Sequence, residues 1–318
     1  MAPARRAIRA AVSRPSAPRS DRDPVAFATL AAELATELPR EVHAVLADFK
    51  LRGGSDGALL LSDAPLDNPL PLTPTSRGAE INLPVSEMTL GIVGMSLGVI
   101  LGFRGEAQGR LIQPLYPILA DTRAQTSSSS AVRLDFHSET AFDPNRPDVL
   151  ALLCLRGDPD GAAMTTFSCA TRVMSHLSDA QIEILRQPRY KTGIDASFGG
   201  SVNSEDDPTV SPIYGSETDP GILIDTDLMR AADPKDEPAK KALIALNNAV
   251  EKAAVGIVLR PGNILLIDNR RACHGRSDFR ANYDGKDRLL LRTMVAYDPW
   301  RRSGERRPRS LVQERVGR

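Results

Sequence analysis

His137 and Glu139 stand one residue apart at the end of the apolar run AVRLDFHSETAF, and His274 sits far down the chain in DNRRACHGR. On a strand, residues i and i+2 point to one face. One imidazole and one carboxylate can then grip a single ion together, provided that the fold returns a distant strand beside them with a third ligand. The chain has strands to do this. Short apolar runs read as strands at 57–63, 110–116, 131–137, 148–156, 163–168, 221–225, 256–260, 263–268 and 288–297, and PGN at 261–263 is a tight-turn signal between two of them. Helical patterns fall at 24–37, starting at Asp23 or Pro24, at 40–50 beyond Pro39, and near 170–186 and 236–254. Many short strands with few alternating helices argue against a parallel βαβ sheet and for a barrel or sandwich.

Two histidines and a carboxylate form the ligand pattern of non-haem Fe(II) oxygenases. An H-x-E triplet alone is weak evidence, because it arises by chance in many proteins. Arg288 and Arg292, in GKDRLLLRTMVAYD, make it stronger. They are an even step apart, so on a strand both guanidiniums look into one cavity. Two inward arginines are costly to bury without carboxylates, and a guanidinium fork binds a carboxylate best in two-point fashion. The cavity therefore calls for an anionic ligand.

At 318 residues and 42% hydrophobic content the chain can bury a large core. Cys154, Cys169 and Cys273 have no C-x-x-C spacing, and no signal peptide precedes them, so free thiols in a reducing cytoplasm are expected. The zero net charge is unevenly spread: residues 1–22 hold six Arg against one Asp, and 300–318 hold seven Arg against two Glu, leaving a balance of −10 between them. Basic ends on an acidic body are not a nucleic-acid footprint. Residues 1–22 read as a disordered tail rather than a transit peptide, 23–299 as a single domain, and 300–318 as a second basic tail. MTLGIVGMSLGVILGF (88–103) approaches membrane length, but its glycines and the flanking Glu87 and Arg104 favour a buried core helix. His43 and His176 lie in amphipathic helical stretches and are not expected to be ligands.

FHSETAF, LCLRGDP, IDTDLMR, LLIDNRRACHGRSDF and the paired arginines resemble the clavaminate synthase-like (TauD-type) branch of the Fe(II)/2-oxoglutarate oxygenases. Within it the likeness is to hydroxylases of free L-amino acids, lysine hydroxylases foremost and then those of arginine and asparagine. It runs from about residue 57 to 299. The resemblance implies a mainly β fold with peripheral helices around a double-stranded β-helix, or jelly roll. It implies Fe(II) on His137, Glu139 and His274, with 2-oxoglutarate and O2 in the remaining positions and succinate and CO2 as coproducts. Arg288 would hold the distal carboxylate of 2-oxoglutarate with a threonine from AAMTTFS. Thr165 and Thr166 point to opposite faces, and spacing favours Thr165. Arg292 would hold the substrate α-carboxylate and Glu106, where relatives often carry Gln, its α-amine. Asp225 and Asp227 would read the side-chain head group, although an Asp before LMRAADP can also cap a turn.

Segment 198–220, rich in Gly, Ser, Asp and Pro, reads as a lid over the metal. Arg270, Arg271 and Arg276 are expected to support the site or pair at the surface, and Cys273 to face away from the metal as packing. A ligating Glu139 disfavours halogenation, and Arg288 speaks against a zinc hydrolase. The expected reaction is hydroxylation of an unactivated C–H of lysine, arginine, citrulline or ornithine. Desaturation or ring closure of an amino-acid-derived intermediate is the alternative, and a non-catalytic metal-binding sensor the remote one. The expected partner is a small molecule, with neither nucleic acid nor membrane involved.

Overall fold

A computed structural model describes residues 9–10, 17–54, 56–194, 208–298 and 311–313. The chain runs through α1 (Pro24–Ala35), α2 (Arg40–Arg52), β1 (Ala58–Leu61), α3 (Pro84–Leu97), β2 (Val99–Phe103), β3 (Gln113–Leu115), β4 (Leu134–His137), β5 (Val149–Arg156) and β6 (Met164–Cys169). It continues through α4 (Ala170–Met174), α5 (Asp179–Leu185), β7 (Tyr190–Lys191), β8 (Ile213–Gly215), β9 (Pro220–Ile222), β10 (Arg230–Ala231), α6 (Glu237–Ala253), β11 (Val255–Val258), β12 (Ile264–Asp268), β13 (Ala272–Arg276), β14 (Leu289–Ala296) and β15 (Val312–Gln313).

Two sheets face each other across a cavity, as a double-stranded β-helix requires. The larger has the order β1-β12-β5-β14-β2-β15, with β3 also paired to β14; the smaller has the order β11-β6-β13-β4. Strand alternation divides the core. Leu289, Leu291 and Val295 of β14 and Val149, Ala151 and Leu153 of β5 share a core with α3, on which α1 packs, whereas Leu290, Met294, Leu150 and Leu152 face inward. On the smaller sheet, Phe136 and Cys273 point outward into a cluster with Leu243, Leu246 and Val250 of α6. Their neighbours His137 and His274 therefore point inward. Asp236 caps α6 by accepting from the Ala239 N–H at 3.0 Å, and Pro238 in its first turn has no donor to waste.

Several elements depart from the sequence reading. The expected helix over 88–103 is two elements: α3 ends at Leu97 and β2 follows from Val99. Gly98 makes the break, since a Cβ there would clash with the Ala296 carbonyl. The helix expected over 170–186 is split into α4 and α5, because Ser178 and Gln181 form a reciprocal capping box that starts a new helix. Strand β13, which carries His274, was not among the expected elements. Of the segment 198–220, residues 198–207 lie outside the described residues, while 213–222 form a hairpin whose Ile213 and Ile222 are fully buried. Near the N-terminus Ser20 is buried and donates to Glu87 at 2.6 Å. Residues 312–313 add a parallel strand to β2. Among the described residues no helix is long and apolar enough to cross a membrane.

Candidate active site

β13 pairs antiparallel with β4 so that His274 lies opposite His137, with ring centroids 4.4 Å apart. His137, Glu139 and His274 each offer one ligand atom, and the three atoms lie within 4.8 Å of one another. Among the described residues this is the one such cluster, and neither His43 nor His176 joins it. The ring Nδ1 of His137 is 2.8 Å from the Asp135 carbonyl. A carbonyl only accepts, so Nδ1 carries the proton and Nε2 is left as the ligand atom.

Glu139 corrects the expectation that it shares a strand with His137. β4 stops at His137, and Glu139 begins a turn in which Thr140 has φ +50°. Asn269 holds that turn. Its Oδ1 accepts the Glu139 N–H at 2.7 Å, and its Nδ2 donates to the carbonyls of Glu139 at 3.1 Å and Pro147 at 2.9 Å.

The donor set fits a divalent metal. Burial alone would raise the Glu139 carboxyl, but the Arg292 guanidinium and the two imidazoles outweigh it and hold the group ionised, well below the usual range. Burial and the nearby His137 push His274 down to about 4, so its ring is neutral and free to ligate at neutral pH.

The triad opens on a cavity of about 690 Å³, lined by both sheets. Arg288 and Arg292 both line it, as their even spacing requires, and both are buried. Arg288 Nη2 is 3.4 Å from Thr165 Oγ1, and burial pushes the guanidinium down to about 10, so it remains charged at neutral pH. Thr165 is buried on the cavity wall; Thr166, its neighbour, is not part of that wall. Arg276 also lines the cavity, buried and donating to the carbonyls of Ser129, Val132 and Ser277. Arg270 and Arg271 instead pair with buried Asp268, at 2.7 and 2.8 Å.

Arg292 is the hub of the opposite wall. Its Nη1 donates to both Glu139 oxygens, at 3.2 and 3.4 Å, its Nε and Nη2 reach Gln113 Oε1, at 3.1 and 2.5 Å, and Nη2 also pairs with Glu106. Glu106 is no solvated loop carboxylate. Burial pushes it up against the pull of Arg292, and its second oxygen, Oε2, is buried without a hydrogen-bond partner among the described residues. Gln113 was not anticipated, although its place opposite Arg292 on β3 makes it an inward position.

Asp225 and Asp227 both line the cavity, but on a turn rather than one strand face. Asp225 is buried, and its Oδ1 accepts the N–H groups of Asp227 and Leu228, at 3.0 and 2.8 Å. Asp227 is exposed toward the cavity mouth.

Residues 82–294 match the family model described as taurine catabolism dioxygenase TauD, TfdA family. The chain is 36% identical to L-lysine 3-hydroxylase of Catenulispora acidiphila, over 86% of this chain and 76% of that one. It is 35% identical to L-asparagine oxygenase of Streptomyces coelicolor, over 85% and 80%. Its fold is similar to that of asparagine oxygenase in complex with Fe(II), 2S,3S-3-hydroxyasparagine and succinate, at a TM-score of 0.90 and 31% identity over 99% of this chain and 98% of that one. A jelly roll carrying a His-Glu-His cluster, matched over most of its length by that family model, places the chain in the TauD, TfdA family of Fe(II)/2-oxoglutarate-dependent dioxygenases.

Proposed function

We propose that this chain hydroxylates an unactivated C–H bond of a free L-amino acid with a basic or ureido side chain, lysine foremost, with Fe(II), 2-oxoglutarate and O2. The observation that carries the reading is the His-Glu-His cluster in a cavity whose walls present the buried guanidiniums of Arg288 and Arg292 and the carboxylates of Glu106 and Asp227.

His137, Glu139 and His274 would hold the iron. When bound, the iron with 2-oxoglutarate and O2 supplies the oxidising power for attack on a C–H bond. Arg288, with Thr165 beside it, orients an incoming dicarboxylate by charge and fork geometry. Arg292 accepts the amino acid's α-carboxylate. The unpartnered Oε2 of Glu106 suits the α-ammonium, so a zwitterion exchanges partners with an existing ion pair instead of meeting a bare charge. Asp225 sets the turn through two backbone N–H groups and leaves Asp227 to meet the cationic end of the side chain. Apolar Leu150, Leu152 and Leu290 exclude water between these polar ends. Three buried free thiols suit a reducing cytoplasm, and the partner this cavity fits is a small molecule.

The test is succinate release with Fe(II), ascorbate and 2-oxoglutarate across the free L-amino acids, citrulline and ornithine, with mass spectrometry of the products. Stimulation by lysine or another basic amino acid, with a mass gain of one oxygen, is expected. Loss of two hydrogens would redirect the reading to desaturation. If no free amino acid stimulates turnover while iron and 2-oxoglutarate still bind, the substrate is a tethered or late intermediate.

A further inference from the structure

We infer that Asn269 is a positioning residue for the metal centre, fixing the carboxylate ligand Glu139 and tying its place to that of His274. The two histidines are held by the β4–β13 ladder, but Glu139 lies beyond the end of β4, where no strand among the described residues partners its backbone. The next residue, Thr140, is at φ +50°, a conformation that a non-glycine keeps only when its surroundings impose it.

Asn269 imposes it. Its side-chain amide takes the Glu139 N–H and gives a hydrogen bond to the Glu139 carbonyl, as a neighbouring strand would. The second amide hydrogen goes to Pro147 O, and the Asn269 backbone N–H donates to Asp148 O at 2.9 Å, closing both ends of the loop. Asn269 is fully buried. Both amide hydrogens are used and its oxygen is engaged, so it has no donor left for substrate or cosubstrate. Its effect therefore runs through Glu139. Because Asn269 follows the last residue of β12 and opens the short turn into β13, it also links the turn bearing Glu139 to the strand bearing His274.

The inference rests on the metal-triad reading, and its test separates the two. In Asn269→Asp the oxygen that replaces Nδ2 faces two carbonyls, and in Asn269→Ala all three side-chain hydrogen bonds are lost. Binding of Co(II) and of anaerobic Fe(II) is titrated in the full chain, followed by the absorption band of the metal with 2-oxoglutarate. Both variants should bind metal roughly 10- to 100-fold more weakly, the usual effect of losing a partner that orients a ligand. The band should shift, while the KM for the amino acid at saturating metal stays within about twofold. Leu46→Ala in α2, in the cluster on the outer face of the larger sheet, serves as the control: it should lower the melting temperature without moving metal affinity, which separates positioning from general destabilisation. Metal affinity within about twofold of wild type in both Asn269 variants would overturn the inference. Should neither variant fold, hydrogen exchange of the wild-type Glu139 amide decides: protection matching β4 supports the lock, and exchange at loop rates overturns it. A wild-type chain that binds no metal would remove the triad itself.

Discussion

Arg292 makes contact with Gln113, Glu106 and both oxygens of Glu139 before any substrate arrives. A lysine at 292 keeps the charge but cannot span these acceptors and a carboxylate together. Arg292→Lys should raise the KM of the amino acid roughly 10- to 100-fold, the worth of one hydrogen bond to a charged group. An unchanged KM would move the α-carboxylate site elsewhere. The two aspartates should separate in the same way. Asn at 225 can still accept from Asp227 and Leu228, so Asp225→Asn should fold and retain its turn. Asp227→Asn should shift preference toward neutral side chains by about tenfold, a change of roughly 1.4 kcal/mol, and leave substrate-free 2-oxoglutarate turnover unaltered. Equal loss of both readouts would make Asp227 structural. The three members of the triad and the shared face of Arg288 and Arg292 were legible in the sequence, the arginines by strand parity and the triad by its residue types, although Glu139 reaches the site from a turn and not from the strand of His137. Asn269 and Gln113 were not. Their partners lie 130 and 179 residues away, and no local pattern records such a pairing.

Helix α3 shows where reading elements from sequence runs out. Its apolar residues continue without a break into β2, so periodicity cannot mark where helix becomes strand; only the close approach of Ala296 at Gly98 does. The one acidic residue of this helix, Glu87, was read only as a flank that speaks against a membrane span. Burial pushes its carboxyl up to about 7, with Ser20 donating to it. A carboxyl raised on folding costs stability once the unfolded chain ionises. Its favourable state is therefore complete below about pH 4.5, and stability declines as pH rises from there to about 7, by about 3 kcal/mol for the full shift. Glu87→Gln should flatten this slope and be the more stable protein at pH 8, as urea unfolding at pH 5 and 8 would show. A parallel pH dependence in both proteins would mean that Glu87 stays solvated.

Across the whole molecule, the cavity holds unequal charges at its two ends, and this makes folding and ligand binding a single equilibrium. At one end Arg292 is matched by Glu106 and Glu139. At the other, among the described residues, the one hydrogen bond of Arg288 is the long one to Thr165, and Arg276 beside it is met by carbonyls and a hydroxyl instead of a carboxylate. Burying such cations costs free energy that a bound dianion returns. A ligand at 100 times its Kd adds about 2.7 kcal/mol, on the order of 5 °C in melting temperature for a chain of this size. Co(II) should give one increment and 2-oxoglutarate, added with it, a second. In Arg288→Gln the metal increment should persist while the 2-oxoglutarate increment disappears. The ligand-free variant should melt no lower than wild type, because it has shed a buried charge. If 2-oxoglutarate stabilises Arg288→Gln as much as wild type, its distal carboxylate lies elsewhere, and Arg276, on the same wall, becomes the residue to replace next.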